Sequence, residues 1–281
     1  MSVVLGPPIK GPSALGSDPR RLWHLARTMA VSDFKLRFFG SALGYLWQLV
    51  RPLLLFGVLY VVFTEVVRIG GDVELYPVAL LLGVVLYTCF SEATSGALSS
   101  LVDRESLIRK VEFPRLAVPL AAVLTALMNL ALNLIAVVVF LLAAGGSIRW
   151  TWLELPFLVL ALALLTTGLG MLLSALFVRY RDVKPIWEVA LQLLFYGSPI
   201  FYPIDVVVER SELAARLMLL NPFAAIVQQA RHALIAPSHP SAAAAAGGVG
   251  WLLLTVAIGV GVIALGYYVF NRRAPTIAEE L

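Results

Sequence analysis

Repeated apolar runs approaching 20 residues, about the length needed to cross a hydrocarbon layer roughly 30 Å thick, constrain this chain more than any other feature. They lie at about 52–67, 77–100, 116–144, 154–178, 186–203 and 249–270, separated by Pro, Gly or charge. With 60% hydrophobic and 14% charged residues, the chain is far too apolar to fold with water as its main solvent. In lipid every backbone N–H and C=O must be satisfied within the spanning element, so these runs are read as helices. The expected fold class is all-α: a polytopic membrane protein with six transmembrane helices. An amphipathic N-terminal interfacial helix precedes them, and re-entrant outer helices precede the last span.

The cations orient the bundle, because Lys- and Arg-rich loops stay cytoplasmic. Lys10, Arg20, Arg21, Arg27, Lys35, Arg37 and Arg51 precede the first span, and Arg104, Arg109, Lys110 and Arg115 lie between the second and third. Arg179, Arg181 and Lys184 follow the fourth span, and Arg272 and Arg273 follow the last. The alternate loops hold Arg68, Arg149, Arg210, Arg216 and Arg231. Both termini are therefore expected in the cytoplasm. The net charge of +4 reports topology and is not a nucleic-acid footprint. Cys89 is the single cysteine, so an intrachain disulfide or Cys-rich metal site is excluded. No short apolar stretch follows a basic start as in a signal peptide, and the first span is expected to direct insertion.

Residues 1–19, rich in Gly, Pro and Ser, read as a disordered cytoplasmic tail, 20–272 as the transmembrane domain, and 273–281 as a second cytoplasmic tail. From Asp18 to Phe39 apolar residues interleave with cations: Trp23 and Arg27, then Phe34, Lys35 and Arg37. Such a pattern suits a helix in the headgroup layer, or one packed on the bundle. Pro52 fits the first turn of a membrane helix. In 101–115, Leu107, Ile108 and Val111 form one apolar side of a short helix ended by Pro114, while Arg104, Glu105, Arg109 and Lys110 occupy much of the rest. This is a docking surface for a soluble partner or an ordinary solvated loop.

Thr125, Asn129 and Asn133 recur every four residues and stack on one helix face, as helix–helix glue or as a substrate-facing stripe. Glu92 and Glu188 come near intramembrane depth, toward the cytoplasmic ends of their spans, and Glu65 sits at an outer end. Phe195, Tyr196, Phe201 and Tyr202 surround a helix break at Gly197, Pro199 and Pro203, as an interfacial belt or a sugar-contact surface. Residues 205–235 form two amphipathic stretches too short to span, and Pro237–Gly248 reads as a linker. The last span carries small residues, Gly259, Gly261, Ala264 and Gly266, suited to close packing. No P-loop, Gly-x-Ser-x-Gly, His-Glu-x-x-His or Cys/His cluster occurs, so no catalytic residue or metal site is assigned and the chain is not expected to be an enzyme.

Several stretches together resemble a known family. Asp33–Trp47, Leu107–Arg115, Arg181–Val183, Ser198–Pro203 and Leu220–Phe223 match, in order and spacing, the ABC-2 type permeases that export cell-surface polysaccharides such as O-antigen, galactan or teichoic acid. The resemblance implies a bacterial inner-membrane homodimer that pairs with two copies of a separate ATP-binding subunit and moves a lipid-linked glycan outward. ATP and magnesium would be held in that partner, and this chain would carry no cofactor. On this likeness Trp23, Arg27, Phe34, Lys35 and Arg37 belong to a gate helix among membrane lipids. Arg104, Glu105, Arg109, Lys110, Arg115, Arg181 and Asp182 face the ATPase, and Phe195, Tyr196, Phe201, Tyr202 and Asn129 line the substrate path. An ABC-2 exporter of hydrophobic drugs or lipids is the alternative in the same class. A membrane scaffold, or a channel or secondary carrier, is the alternative outside it.

Overall fold

The computed structural model describes residues 14–16, 18–37, 44, 46–66, 73–236 and 238–281. Among these, every regular element is helical. The amphipathic α1 (Pro19–Leu36) starts at Asp18, whose side chain accepts the Arg20 N–H. The first span, α2 (Leu46–Tyr60), continues as a π-helical turn over Val61–Val66. Then come α3 (Tyr76–Asp103), the short α4 (Glu105–Lys110), α5 (Ala117–Ala143) and α6 (Leu155–Arg179), the last preceded by a 3-10 turn at Trp150–Glu154. A helix α7 (Val183–Gly197) leads into α8 (Ile204–Arg210), α9 (Glu212–Leu219), α10 (Pro222–Leu234) and α11 (Ala242–Ala245). The long α12 (Val249–Arg273) and the terminal turn α13 (Ile277–Glu280) complete the chain.

Five helices among the described residues are long and apolar enough to cross a membrane: α2 with its π turn, α3, α5, α6 with its preceding turn, and α12. They coincide with five of the six expected spans. The remaining one, expected at 186–203, is α7, whose 15 residues reach only about 22 Å. Gly197 ends it, and Ser198, Pro199, Ile200 and Pro203 continue as buried non-helical chain. Two prolines lacking N–H groups cannot extend the ladder. Pro52 lies inside α2 and not in its first turn, because helical geometry begins six residues earlier at Leu46.

The pillar of the fold is α3, which is buried along most of its length between α5, α6, α2 and α7. By contrast α2 and α12 expose most of their surface, as outer helices facing hydrocarbon do. The molecule has two ends. One carries α1, α4, α13 and the α6–α7 turn, where Leu22, Ala26, Leu101, Ile108, Phe270 and Ile277 share a core. The other carries α8 to α11. There the connection expected as a linker holds a packed helical turn, since Ser241 caps α11 and Ala242, Ala245 and Ala246 are buried. Of the stretch read as an N-terminal tail, 1–13 and 17 lie outside the described residues. Ala14 is buried and its carbonyl accepts the Leu116 N–H at 3.1 Å. Phe38 and Phe39, at the end of the expected amphipathic stretch, also lie outside the described residues, as do Arg68 and Pro237.

Candidate functional site: two helix ends and a polar seam

At the first end, Arg104 breaks the helix between α3 and α4. The apolar side expected of α4 shrinks to Ile108, the one residue of the trio that is buried. Leu107 and Val111 remain exposed beside Glu105, Arg109 and Lys110. Arg109 pairs with Glu105 at 2.8 Å, one turn apart. Two residues grouped with this surface point elsewhere. Arg115 is buried, its Nη1 donates to the Ile108 carbonyl at 2.8 Å, and its guanidinium lies 5.3 Å from the Phe113 ring centre. Burial lowers its pKa, and Glu112 partly offsets the shift. Arg104 turns toward α1 and bonds the Asp33 carboxylate. In the α6–α7 turn, Arg181 and Asp182 are exposed, with Arg181 5.1 Å over the Phe177 ring. The result is a charged, rigidly supported surface on α4, flanked by a second short charged turn.

The seam between α1, α3 and α5 is polar. Leu22, Ala26 and Ala30, spaced four apart, form the buried face of α1, leaving Trp23, Arg27 and Lys35 exposed. Arg37 reaches Glu92 on α3 at 3.5 Å, and Thr125 Oγ1 on α5 approaches the Ala30 carbonyl at 3.4 Å. Asn129 Nδ2 donates to Glu92 Oε2 at 2.9 Å, and Asn133 Nδ2 to the Asn129 carbonyl at 2.9 Å. Thr125 and Asn129 of the stripe thus join helices within one chain, while Asn133 bonds back within α5. A cavity of about 230 Å³ opens in this seam, lined by Asp33, Arg37, Glu92, Ser99, Asp103 and Arg104 among others. Phe34 is half-buried on the same helix, whereas Glu188 and Glu65 are exposed.

At the other end the predicted aromatics do meet. The Phe201 ring is 4.9 Å from Tyr202, 5.7 Å from Phe195, 5.9 Å from Tyr196 and 4.7 Å from Phe63 on the π turn. Tyr196 is exposed, Phe195 and Tyr202 are half-buried and Phe201 is buried. Asn129 instead bonds Glu92 in the polar seam, while the four aromatics pack on one another around the 197–203 break, so the expected substrate-path residues fall into two groups.

The residue that organises the aromatic end is Arg231 on α10, which the sequence placed merely among loop cations. It is fully buried. It donates to the carbonyls of Ala79 on α3 (3.3 Å), Tyr202 (3.2 Å) and Ile200. Burial pulls its pKa down to about 10, with Tyr76 and Tyr202 opposing the shift, so the charge persists at neutral pH. The signal was present: Arg231 falls on the same helical stripe as Ala224, Val227 and Leu234, where a cation needs buried acceptors. Tyr76 Oη adds a bond to the Phe201 carbonyl at 2.6 Å. The non-helical 198–203 chain is therefore held through its carbonyls. No cluster of three or more His, Cys, Asp or Glu able to hold a metal occurs among the described residues.

The fold thus presents a charged helix at one end, a polar seam under an amphipathic helix, and an aromatic break at the other end. Residues 24–235 match the ABC-2 type transporter family. The chain belongs to that family. Among similar proteins, the O-antigen export system permease protein RfbA of Myxococcus xanthus is 29% identical over 250 residues, 89% of this chain and 92% of its own length. RfbA of Klebsiella pneumoniae is 28% identical over 208 residues, 73% of this chain and 78% of its own. The polysialic acid transport protein KpsM of Escherichia coli is 22% identical over 206 residues, 72% of this chain and 78% of its own. As an ABC-2 transporter with several long apolar helices, the chain is a multi-pass membrane protein.

Proposed function

We propose that this ABC-2 permease exports a lipid-linked cell-surface polysaccharide across the bacterial inner membrane, powered by a separate ATP-binding subunit. The carrying observation is the similarity to polysaccharide exporters over nearly the whole chain. The end bearing α1, α4 and α13 faces the cytoplasm, in keeping with the cations gathered before α2, around α4 and after α12. Two permease copies bind two ATPase copies, with the exposed Arg109, Lys110, Arg181 and Asp182 and the half-buried Glu105 as the contacts.

A mechanism follows from the connections. Nucleotide-driven movement of the partner pushes α4, and Arg115 passes the displacement to the start of α5 through the Ile108 carbonyl. Thr125 and Asn129 on α5, together with Arg104 between α3 and α4, meet α1 and Glu92, so the amphipathic helix moves with them. Aromatic faces at Tyr196 and its neighbours offer apolar contact to sugar C–H surfaces without fixing one register, which lets a polymer slide. The test is depletion of the protein in its native cell, with lipid-linked polymer quantified inside and at the surface. Internal accumulation with surface loss is expected, and unchanged amounts in both places would overturn the proposal.

A further inference from the structure

The helices α6 and α12 run side by side and meet most closely where Gly168 faces Ile263 and Gly266. A Cβ on Gly168 would lie 2.7 Å from the Ile263 Cα, and one on Gly266 would collide with the Gly168 carbonyl, so neither glycine has room for a side chain. Beyond this crossing, toward the end bearing α8 to α11, the two helices line a cavity of about 370 Å³ whose back wall is α10. Its lining runs along α12 from Leu252 to Ile263, a rise of about 16 Å, which is close to half of a hydrocarbon layer roughly 30 Å thick. The groove is thus one leaflet deep. Trp251, on the first turn of α12, directly precedes the lining residue Leu252, and tryptophan is a residue that marks the membrane–water boundary.

The lining is apolar except for Gln229 and Thr255, and both are already bonded. Gln229 donates to Glu154 Oε2 at 2.6 Å and accepts the Ala242 N–H at 3.0 Å, while Thr255 donates to the Leu219 carbonyl at 2.7 Å. With both engaged in bonds to the protein, the wall offers little to hold water or sugar, and apolar cavities stay dry. The open side is bordered by Leu164, Val256 and Val260, all exposed on the surface that faces hydrocarbon. A helix of a second copy, about 10 Å across with side chains, is too wide to seat in this space. The geometry points to one occupant: an acyl chain of a phospholipid from the leaflet on the α10 side, seated between α6 and α12 with its headgroup beside Trp251 and Glu154.

This inference rests on membrane embedding and not on polysaccharide export, and its test needs no transport. The full chain is reconstituted in vesicles of phosphatidylethanolamine and phosphatidylglycerol carrying a phospholipid with a mid-chain diazirine, and labelled residues are mapped by mass spectrometry. Labelling concentrated at Val256, Gly259 and Ile263, above that of Leu54 and Val58 on the exposed face of α2, is expected. Gly259→Leu should fill the groove, since a Cβ there meets only Pro222 at ordinary contact distance, and should abolish that labelling while Leu54 keeps its own. Ala225→Leu fills it from the α10 wall and guards against a folding defect in the first variant. Uniform labelling, or labelling that survives both substitutions, overturns the proposal. So does displacement by polyprenyl phosphate, which would assign the groove to a carrier lipid, or crosslinking between two copies at Val256.

Discussion

Arg115 donates from Nη1 to the carbonyl of Ile108, 2.8 Å away, and so clamps the exposed helix α4 to the start of the long helix α5. The residues around α4 consequently divide into a buried support and an exposed surface. Arg115→Met keeps the bulk and removes the donors, leaving buried carbonyls unpaired at a cost of about 1–3 kcal/mol. A lower melting temperature and ATP hydrolysis uncoupled from export are expected, measured by thermal unfolding in detergent and by reconstituted assays. Arg109→Ala and Lys110→Ala should leave the melting temperature unchanged and weaken only ATPase binding, because both side chains are exposed.

Arg231 serves carbonyls from two segments distant in sequence, around 79 and 200–202. Arg231→Leu would strand three acceptors in a dry interior and should cost about 3 kcal/mol or more. Arg231→Lys supplies a point charge in place of a planar fork and should recover only part of that loss. Thermal unfolding, with protease sensitivity of the 198–203 chain as a local readout, checks both.

Gly266→Ala should lower stability by about 1–3 kcal/mol, since its Cβ would collide with the Gly168 carbonyl. Helix propensity alone would favour the same change by about 1 kcal/mol. Gly261, on the same helix with nothing within 4 Å, is the control: Gly261→Ala should be neutral or stabilising. A paired melting-temperature comparison separates packing from propensity.

His239 is buried beside the Glu74 carbonyl, 3.1 Å from its Nε2, and burial together with Arg231 lowers its pKa below the ordinary 6.5. Above pH 6.5 both folded and unfolded rings are neutral and the stability is fully present. As pH falls through 6.5 toward the lower folded value, the unfolded chain binds a proton that the folded site resists, so stability is lost. Melting temperatures should therefore drop between about pH 7.5 and about pH 5.5, and His239→Gln should flatten that slope.

Five long spans and the amphipathic N-terminal helix were legible in the sequence, because transfer into hydrocarbon is a sum over local residues and the 3.6-residue period places Leu22, Ala26 and Ala30 on one face. The polar stripe of Thr125, Asn129 and Asn133 was equally visible, as were the small residues of the last span and the helix break at 197–203. What each of these faces was decided only by the tertiary structure. Gly266 meets Gly168, Asn129 meets Glu92, and Arg231 sits among carbonyls more than a hundred residues apart in sequence. The physical reason is that hydropathy and periodicity are local properties of the chain. A buried cation or a missing side chain is stabilised only by the particular backbone that folding brings against it.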